Sequence, residues 1–262
     1  MALSKKQRIT NQEFADIHKN AHKSVTKALL DKKVDETLES MKKYLKNKKV
    51  AVSWSGGKDS IVLEHICRIL DVKRSFIVHN ELEYPQFMRW VDVQKPEALE
   101  YVNTGQDLLW LSENKHMLFP KKSSTSARWF SIVQHKGQDK YFKDNGLDAI
   151  ILGRRKADGN NFPNGEDSYT NKKTGTVRYC PLMNWSHEYV FAFITYYHCA
   201  LPPIYNWPRG YTVGTGPWAK RKVSSDHQGW REIFKIDPNI VKEAAHYFSS
   251  ASDFLESRGV HF

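Results

Sequence analysis

Ser53-Trp54-Ser55-Gly56-Gly57-Lys58-Asp59-Ser60 follows the apolar stretch Val50-Ala51-Val52 and runs into Ile61-Val62-Leu63, Ile66, Ile69 and Leu70, which are spaced as on one side of a helix. The stretch reads as a phosphate-binding turn between a buried strand and a helix. Ser55, Gly56 and Gly57 permit close backbone approach, and the first helical turn offers unpaired N–H groups and the positive end of the helix dipole to an anion. Lys58 adds a point charge, Ser60 a hydroxyl, and Asp59 a candidate magnesium contact. One residue separates Gly56 from Lys58, so the spacing GxxxxGK[ST] of kinase and GTPase loops is not met.

Outward from this turn the chain alternates. Strands are expected over 49–54, 74–79, 107–111 and 148–153, with helices over 59–70 and 124–143 and an unassigned segment over 84–103. That order predicts an α/β fold: a parallel twisted sheet with helices on both faces, Rossmann-like in plan. Ligands of such sheets lie outside the carboxyl ends of the strands, which brings the loop after 54, the segment from Asn80 to Pro85, the loop near 112–122 and the loop from Gly153 to Gly159 to one site.

Two N-terminal helices are expected, over 11–30 and from Val34 to Leu45, as an extension spanning 1–47. His18 and His22 share a face of the first, without a carboxylate or cysteine at ligand spacing. Residues 48–215 are read as the nucleotide-binding α/β domain and 216–262 as a C-terminal helical region packed on the same domain, with one helix opening at Asp237-Pro238 and running to Arg258. The polar, turn-rich residues 156–176 read as a mobile flap or hairpin, and a helix over 186–199 starts at Ser186.

Composition narrows the classes. Hydrophobic residues make up 40% of the chain and aromatic residues 13%, which is globular and not disordered. No apolar run is long enough to span a membrane and the first residues lead into polar sequence, so a cytoplasmic protein without a membrane role is expected. Cys67, Cys180 and Cys199 form no metal spacing and read as reduced core residues; with three cysteines, structural zinc and a four-cysteine iron–sulfur cluster are not expected. Forty Lys plus Arg against 29 acidic residues give a net charge of +11, which suits a polyanionic ligand or nucleic acid. Lys5-Lys6, Lys42-Lys43, Lys121-Lys122 and Lys172-Lys173 are scattered, so a solvated surface around a nucleotide site explains the charge as well as a nucleic-acid groove does.

SGGKDS after a strand resembles the PP-loop of the adenine nucleotide α-hydrolase superfamily. Four further segments resemble its phosphoadenylylsulfate (PAPS) reductase branch. Gly153-Arg154-Arg155-Lys156-Ala157-Asp158 is similar to the family's G-x-R-x-x-(D/E) segment, and Pro181-Leu182-Met183-Asn184-Trp185-Ser186 with Val190 to its P-L-x-x-W-(T/S)-x-x-x-V element. Leu201-Pro202 through Tyr205 with Gly210-Tyr211 resembles its L-P-x-x-x-L-Y-x-x-G-Y stretch. Ile77 through Pro85 occupies the place of its V-D-T-G-x-x-F-P strand end, with Asn80 and Glu81 departing. The resemblance covers roughly residues 48 to 215.

The chain also departs from that branch. No cysteine follows Cys199, whereas sulfonucleotide reductases of this kind use a C-terminal ECGLH-like cysteine as nucleophile. Trp129-Phe130-Ser131 and Gly214-Thr215-Gly216-Pro217 stand where the cluster-binding cysteines of adenylylsulfate reductases are expected.

The resemblance implies an adenine nucleotide, ATP or PAPS or adenylylsulfate, as substrate. Ser53, Ser55, Gly56, Gly57, Lys58, Asp59, Ser60 and Gly153 would bind it, and Lys58, Asp59, Arg154 and Arg155 would serve catalysis. Magnesium is expected with the nucleotide, on Asp59 with Glu81 or Glu83. An ATP pyrophosphatase or adenylyltransferase is the leading expectation. A sulfonucleotide reductase or sulfotransferase that borrows a partner's thiol, and a non-catalytic nucleotide-binding regulator associated with nucleic acid, stay open beside it, as do a homo-oligomer and a partner protein. Lys136 stays open between site and surface; Trp207, Tyr211 and Trp218 stay open between base stacking and packing. No partner is identified for His187 or His227.

Overall fold

The computed structural model describes residues 9–260; Lys5, Lys6 and the final pair His261-Phe262 lie outside them. In chain order the helices and strands are α1 Asn11–Ser24, α2 Lys27–Leu45, β1 Val50–Ser53, α3 Lys58–Ile69, β2 Arg74–His79, α4 Pro85–Gln94 and β3 Ala98–Asn103. There follow α5 Leu108–Glu113, α6 Ser123–Trp129, α7 Lys136–Asp144, β4 Ala149–Ile151, β5 Ser168–Thr170, β6 Val177–Tyr179 and α8 His187–Tyr196. The chain closes with α9 Gly210–Val213, α10 Asp226–Ile236, α11 Pro238–Ala245 and α12 Ser249–Glu256.

The six strands form one sheet in the order β3-β2-β1-β4-β6-β5. β1 pairs in parallel with β2 and β4, in the registers Val52↔Ser75 and Ala51↔Ile150, and β4 pairs in parallel with β6. β5 is antiparallel to β6, so residues 156–176 do lead into a hairpin, whose returning strand then extends the sheet. This is the α/β sheet that the alternation predicts. β1 and β4 are central and buried on both faces, which is why they read as continuous apolar runs.

Several boundaries differ from expectation. The apolar run Leu108-Leu109-Trp110-Leu111 is a helix and not a strand, because the Asp107 side chain accepts from the Trp110 amide at 2.7 Å and caps it. The third strand is instead 98–103, an edge strand whose exposed residues hide its pattern. The helix expected over 11–30 breaks at Val25, where Thr26 caps α2 by accepting from the Leu29 amide. The helix expected over 124–143 is interrupted by a π-helical stretch, Phe130–His135. The expected C-terminal helix is two, α11 and α12, and α10 precedes them under a Ser225 cap.

The chain divides into two compact units. One holds the described residues up to Ile77 together with Val93–Glu100 and Gln138–Pro202. Its core sets Val52, Ile61, Leu63 and Ile66 with Ile150, Phe191 and Phe193, all buried. The N-terminal helix is seated on α8: Ala21 is buried, His18 stacks on Phe191 with centroids 4.6 Å apart, and the Tyr196 hydroxyl donates to the His22 carbonyl at 3.2 Å.

The other unit holds Val78–Asp92, Tyr101–Gly137 and the described residues from Pro203 on. Trp230 is its centre, with Phe119 edge-on at 4.9 Å and Trp218 at 5.8 Å. Gly229 lets the Phe119 ring approach: a Cβ there would lie 2.5 Å from it. Arg221 is buried and donates to Glu232 at 3.0 Å and to the Tyr84 hydroxyl at 3.1 Å. Trp207 packs on Tyr84, Tyr211 on Tyr205 and His227 on Phe254, so these rings have structural neighbours.

Candidate functional site

The turn after β1 is built around one hydroxyl. Ser60 Oγ donates to the Gly57 carbonyl at 2.9 Å and accepts from the Ser55 amide at 3.1 Å, and the Ser55 hydroxyl lies 3.2 Å from it. Gly56 takes φ +67°, a conformation glycine adopts without the cost of a side chain. Gly57 stands as N-cap of α3 without a capping side chain, so the first amides of that helix carry no side-chain acceptor from the cap. The Ser53 hydroxyl faces the core and accepts from Gln138 Nε2 at 3.2 Å.

Gly153, two residues past β4, meets the start of α3. A Cβ at Gly153 would lie 2.9 Å from the Asp59 carbonyl carbon, so only glycine lets the β4 loop close on the turn. Beside that contact, Arg155 and Asp158 of the same loop reach Asp59 and Lys58. Lys58 Nζ lies 2.6 Å from Asp59 Oδ2 and 3.6 Å from Asp158 Oδ1. Arg155 Nε lies 2.8 Å from Asp59 Oδ1 and Arg155 Nη2 2.9 Å from Asp158 Oδ1. The Arg155 Nε contact is an ion pair and not a directed hydrogen bond, since neither atom finds a hydrogen-bond partner. Arg155 is fully buried, and its remaining donors reach the Trp185 carbonyl at 3.2 Å and His187 Nδ1 at 3.1 Å.

Two cations and two carboxylates therefore balance in a largely buried cluster. Burial pushes the Asp59 carboxyl upward, but Lys58 and Arg155 outweigh it and hold the group below the usual carboxylate range. His187 is pushed down, first by burial and then by the Arg155 charge. Arg155 has only donors, so His187 Nδ1 accepts and the neutral imidazole carries its proton on Nε2.

The adjacent arginine differs. Arg154 Nε donates to Asn160 Oδ1 at 3.3 Å, a second nitrogen donates to the Tyr169 hydroxyl, and the rings of Phe162 and Tyr169 lie 5.9 and 5.8 Å from its guanidinium carbon. No carboxylate among the described residues forms an ion pair with it. Arg154 is thus a cation oriented by neutral groups of the following hairpin, whereas Arg155 is a strut beneath the turn.

Of the residues expected at the site, Ser55, Gly56, Gly57, Lys58, Asp59, Ser60, Gly153 and Arg155 come together where the β1 and β4 loops meet, whereas Arg154, in the same β4 loop, contacts Asn160, Phe162 and Tyr169. Ser53 contributes a hydroxyl that serves the core. Lys136 is an exposed residue at the start of α7. Asp158, His187, Asn160 and Tyr169 were not singled out as site residues. Asp158 was within reach from its place in the 153–158 segment; the others carry no local signal.

The metal expectation does not fit this arrangement. Asp59 is occupied by two cations, and among the described residues no group of three His, Cys, Asp or Glu could hold a metal ion. Glu81 accepts from the Asn103 side chain, and Glu83 is buried with its pKa pushed up to about 8 by burial, partly offset by Lys220.

The model of the phosphoadenosine phosphosulfate reductase domain matches residues 49–215, well over half of the 262-residue chain. The chain belongs to that family. The phosphoadenosine phosphosulfate reductase domain here begins at β1 and ends just past α9, and α1 and α2 precede it. No curated protein matches the chain. Among solved structures it is similar to the phosphoadenylyl-sulfate reductase from Candida auris in a phosphate complex. The TM-score is 0.52 at 14% identity, over 83% of this chain and 97% of that one. At that identity the likeness bears on the fold alone. The FMN adenylyltransferase from Candida glabrata, with FAD and inorganic pyrophosphate, is similar with a TM-score of 0.48 at 14% identity, over 77% of this chain and 71% of that one.

Proposed function

We propose that this member of the phosphoadenosine phosphosulfate reductase domain family binds ATP or a related adenine nucleotide and acts at its α-phosphate, releasing pyrophosphate. The observation that carries the reading is the Ser60-centred glycine turn at the head of α3, with Lys58 in its first helical position and Arg155 paired with Asp59 where Gly153 closes on the helix. Backbone amides and cations suit phosphoryl chemistry, which asks for positioning and charge and little covalent help.

In this reading the β- and γ-phosphates lie on residues 55–60. A nucleophile's electron pair attacks the α-phosphorus, the bond to the bridging oxygen breaks, and pyrophosphate leaves with that pair while AMP passes to the acceptor, or to water. Lys58 and Arg154 carry the charge of the departing oxygens; Arg155 holds Asp59 and Asp158 so that Lys58 stays in place.

A second reading, sulfonucleotide chemistry, is favoured by the family match, and the state of the cysteines then asks for a thiol from another molecule. Cys67 and Cys180 are buried, Cys199 half-buried, and burial pushes all three thiols up, Cys180 to about 12 and Cys199 to about 11. None is a thiolate near neutral pH, so a redox nucleophile would have to be supplied from outside.

Turnover assays on ATP, adenylylsulfate and PAPS, reading pyrophosphate, AMP and sulfite, separate the two. Pyrophosphate from ATP, abolished in Lys58→Ala, supports the first reading. Sulfite released only with an added thiol donor supports the second, and no turnover with salt-sensitive binding of DNA or RNA would leave a nucleotide-binding regulator.

A further inference from the structure

Helix α1 lies before the family-matched residues, yet it reaches the phosphate turn. Its start is fixed by a reciprocal cap: Thr10 accepts from the Glu13 amide at 3.2 Å and Glu13 accepts from the Thr10 amide at 2.6 Å. One residue on, the Phe14 ring stands edge-on to His187, with centroids 4.8 Å apart and planes at 85°, and the Lys58 ammonium lies 6.0 Å from its centroid. The stacking of His18 on Phe191 and the burial of Ala21 hold the helix on α8, so the ring is placed by packing on both sides of its turn.

We propose that Phe14 is a positioning residue of the phosphate site, walling the Lys58 ammonium and the His187 imidazole from water so that Lys58 meets an incoming pyrophosphate group in a weakly screened environment. The inference rests on the nucleotide reading above. Its physical basis is the state of Lys58, which is 7% exposed and pairs with Asp59 at 2.6 Å and with Asp158 at the looser distance of 3.6 Å. A phosphate competes first for the Asp158 side of the ammonium. Each charge in the cluster acts more strongly while water and salt are kept out. An aromatic face supplies that exclusion and a favourable quadrupole without adding a fixed charge that would repel the phosphate. A carboxylate at position 14 would do the opposite.

The test uses the full chain and inorganic pyrophosphate as probe, titrated calorimetrically at low and high salt, together with acetic anhydride labelling of Lys58 read by mass spectrometry. Phe14→Ala is expected to weaken pyrophosphate binding about tenfold, to steepen its salt dependence and to raise Lys58 labelling several-fold, because the ammonium becomes hydrated. Phe14→Tyr, which keeps the ring, should stay within about twofold of the unchanged protein. Phe14→Leu keeps α1 seated and loses the ring, so it should raise labelling even if Phe14→Ala unfolds the helix. Unchanged labelling and an unchanged salt slope in Phe14→Ala and Phe14→Leu would overturn the proposal. Lys58→Ala separates the two claims: if it binds pyrophosphate as well as the unchanged protein, the nucleotide reading fails, while the labelling still decides whether Phe14 shields Lys58.

Discussion

Arg155 Nε lies 2.8 Å from Asp59 Oδ1, a fully buried guanidinium beneath the first turn of the helix that the Ser55–Gly57 turn leads into. This pair ties the β4 loop to the β1 loop. It also divides the labour of two consecutive arginines: Arg155 spends its donors on Asp59, Asp158, His187 and the Trp185 carbonyl, and Arg154 is left without a carboxylate among the described residues.

Removing the strut should be costly. Arg155→Met leaves the Asp59 and Asp158 carboxylates to share Lys58, and breaking a buried pair of this kind costs about 3–5 kcal/mol. Chemical denaturation should show a correspondingly lower stability, and pyrophosphate binding should be lost with it.

Arg154→Gln should separate binding from folding. Its partners are a hydroxyl, an amide and two rings at a half-buried position, so stability should change by about 1 kcal/mol or less while nucleotide turnover falls at least tenfold. Equal losses in stability for the two arginine variants would contradict the division of roles.

Gly153→Ala tests the closure of the two loops. The added Cβ would sit 2.9 Å from the Asp59 carbonyl carbon and 3.0 Å from its oxygen, both backbone atoms that cannot turn aside. An overpacking cost of about 1–3 kcal/mol is expected, with weaker nucleotide binding, readable by thermal denaturation and calorimetry.

His187 sets a pH dependence. Its pKa lies below 6.5 in the folded chain, so between that value and 6.5 the unfolded chain binds a proton that the folded one does not, and stability is lost as pH falls below 6.5. His187→Gln keeps an acceptor for Arg155 and should lose less stability than the unchanged protein over the same acid range.

Glu83 works in the other direction. Burial raises it from 4.5 to about 8, so the folded chain retains a proton that the unfolded chain has released, and stability falls as pH rises from about 4.5 to about 8. Lys220, itself pushed down by burial, is its charged neighbour. Glu83→Gln should flatten the decline, as measured by melting temperature across that window.

The turn, the parallel sheet and the 153–158 segment were legible because each joins a local pattern to a backbone need: apolar runs for central strands, Gly56 for a positive φ, Gly153 for close approach. The edge strand 98–103 was hidden because an exposed strand has no apolar face, and Leu108-Leu109-Trp110-Leu111 misled because a short apolar run suits helix or strand until a cap such as Asp107 decides. Phe14 and His187 were illegible as site residues. Their roles come from the packing of α1 on α8, 173 positions apart in sequence for this pair, and periodicity reports which face of a helix is apolar, not what the opposite helix carries.

The most direct test of α-phosphate chemistry is the product pair formed from ATP by the purified chain. Pyrophosphate together with AMP, free or on an acceptor, is expected, with loss of both in Lys58→Ala. ADP with inorganic phosphate would place the attack at the γ-phosphate and contradict it.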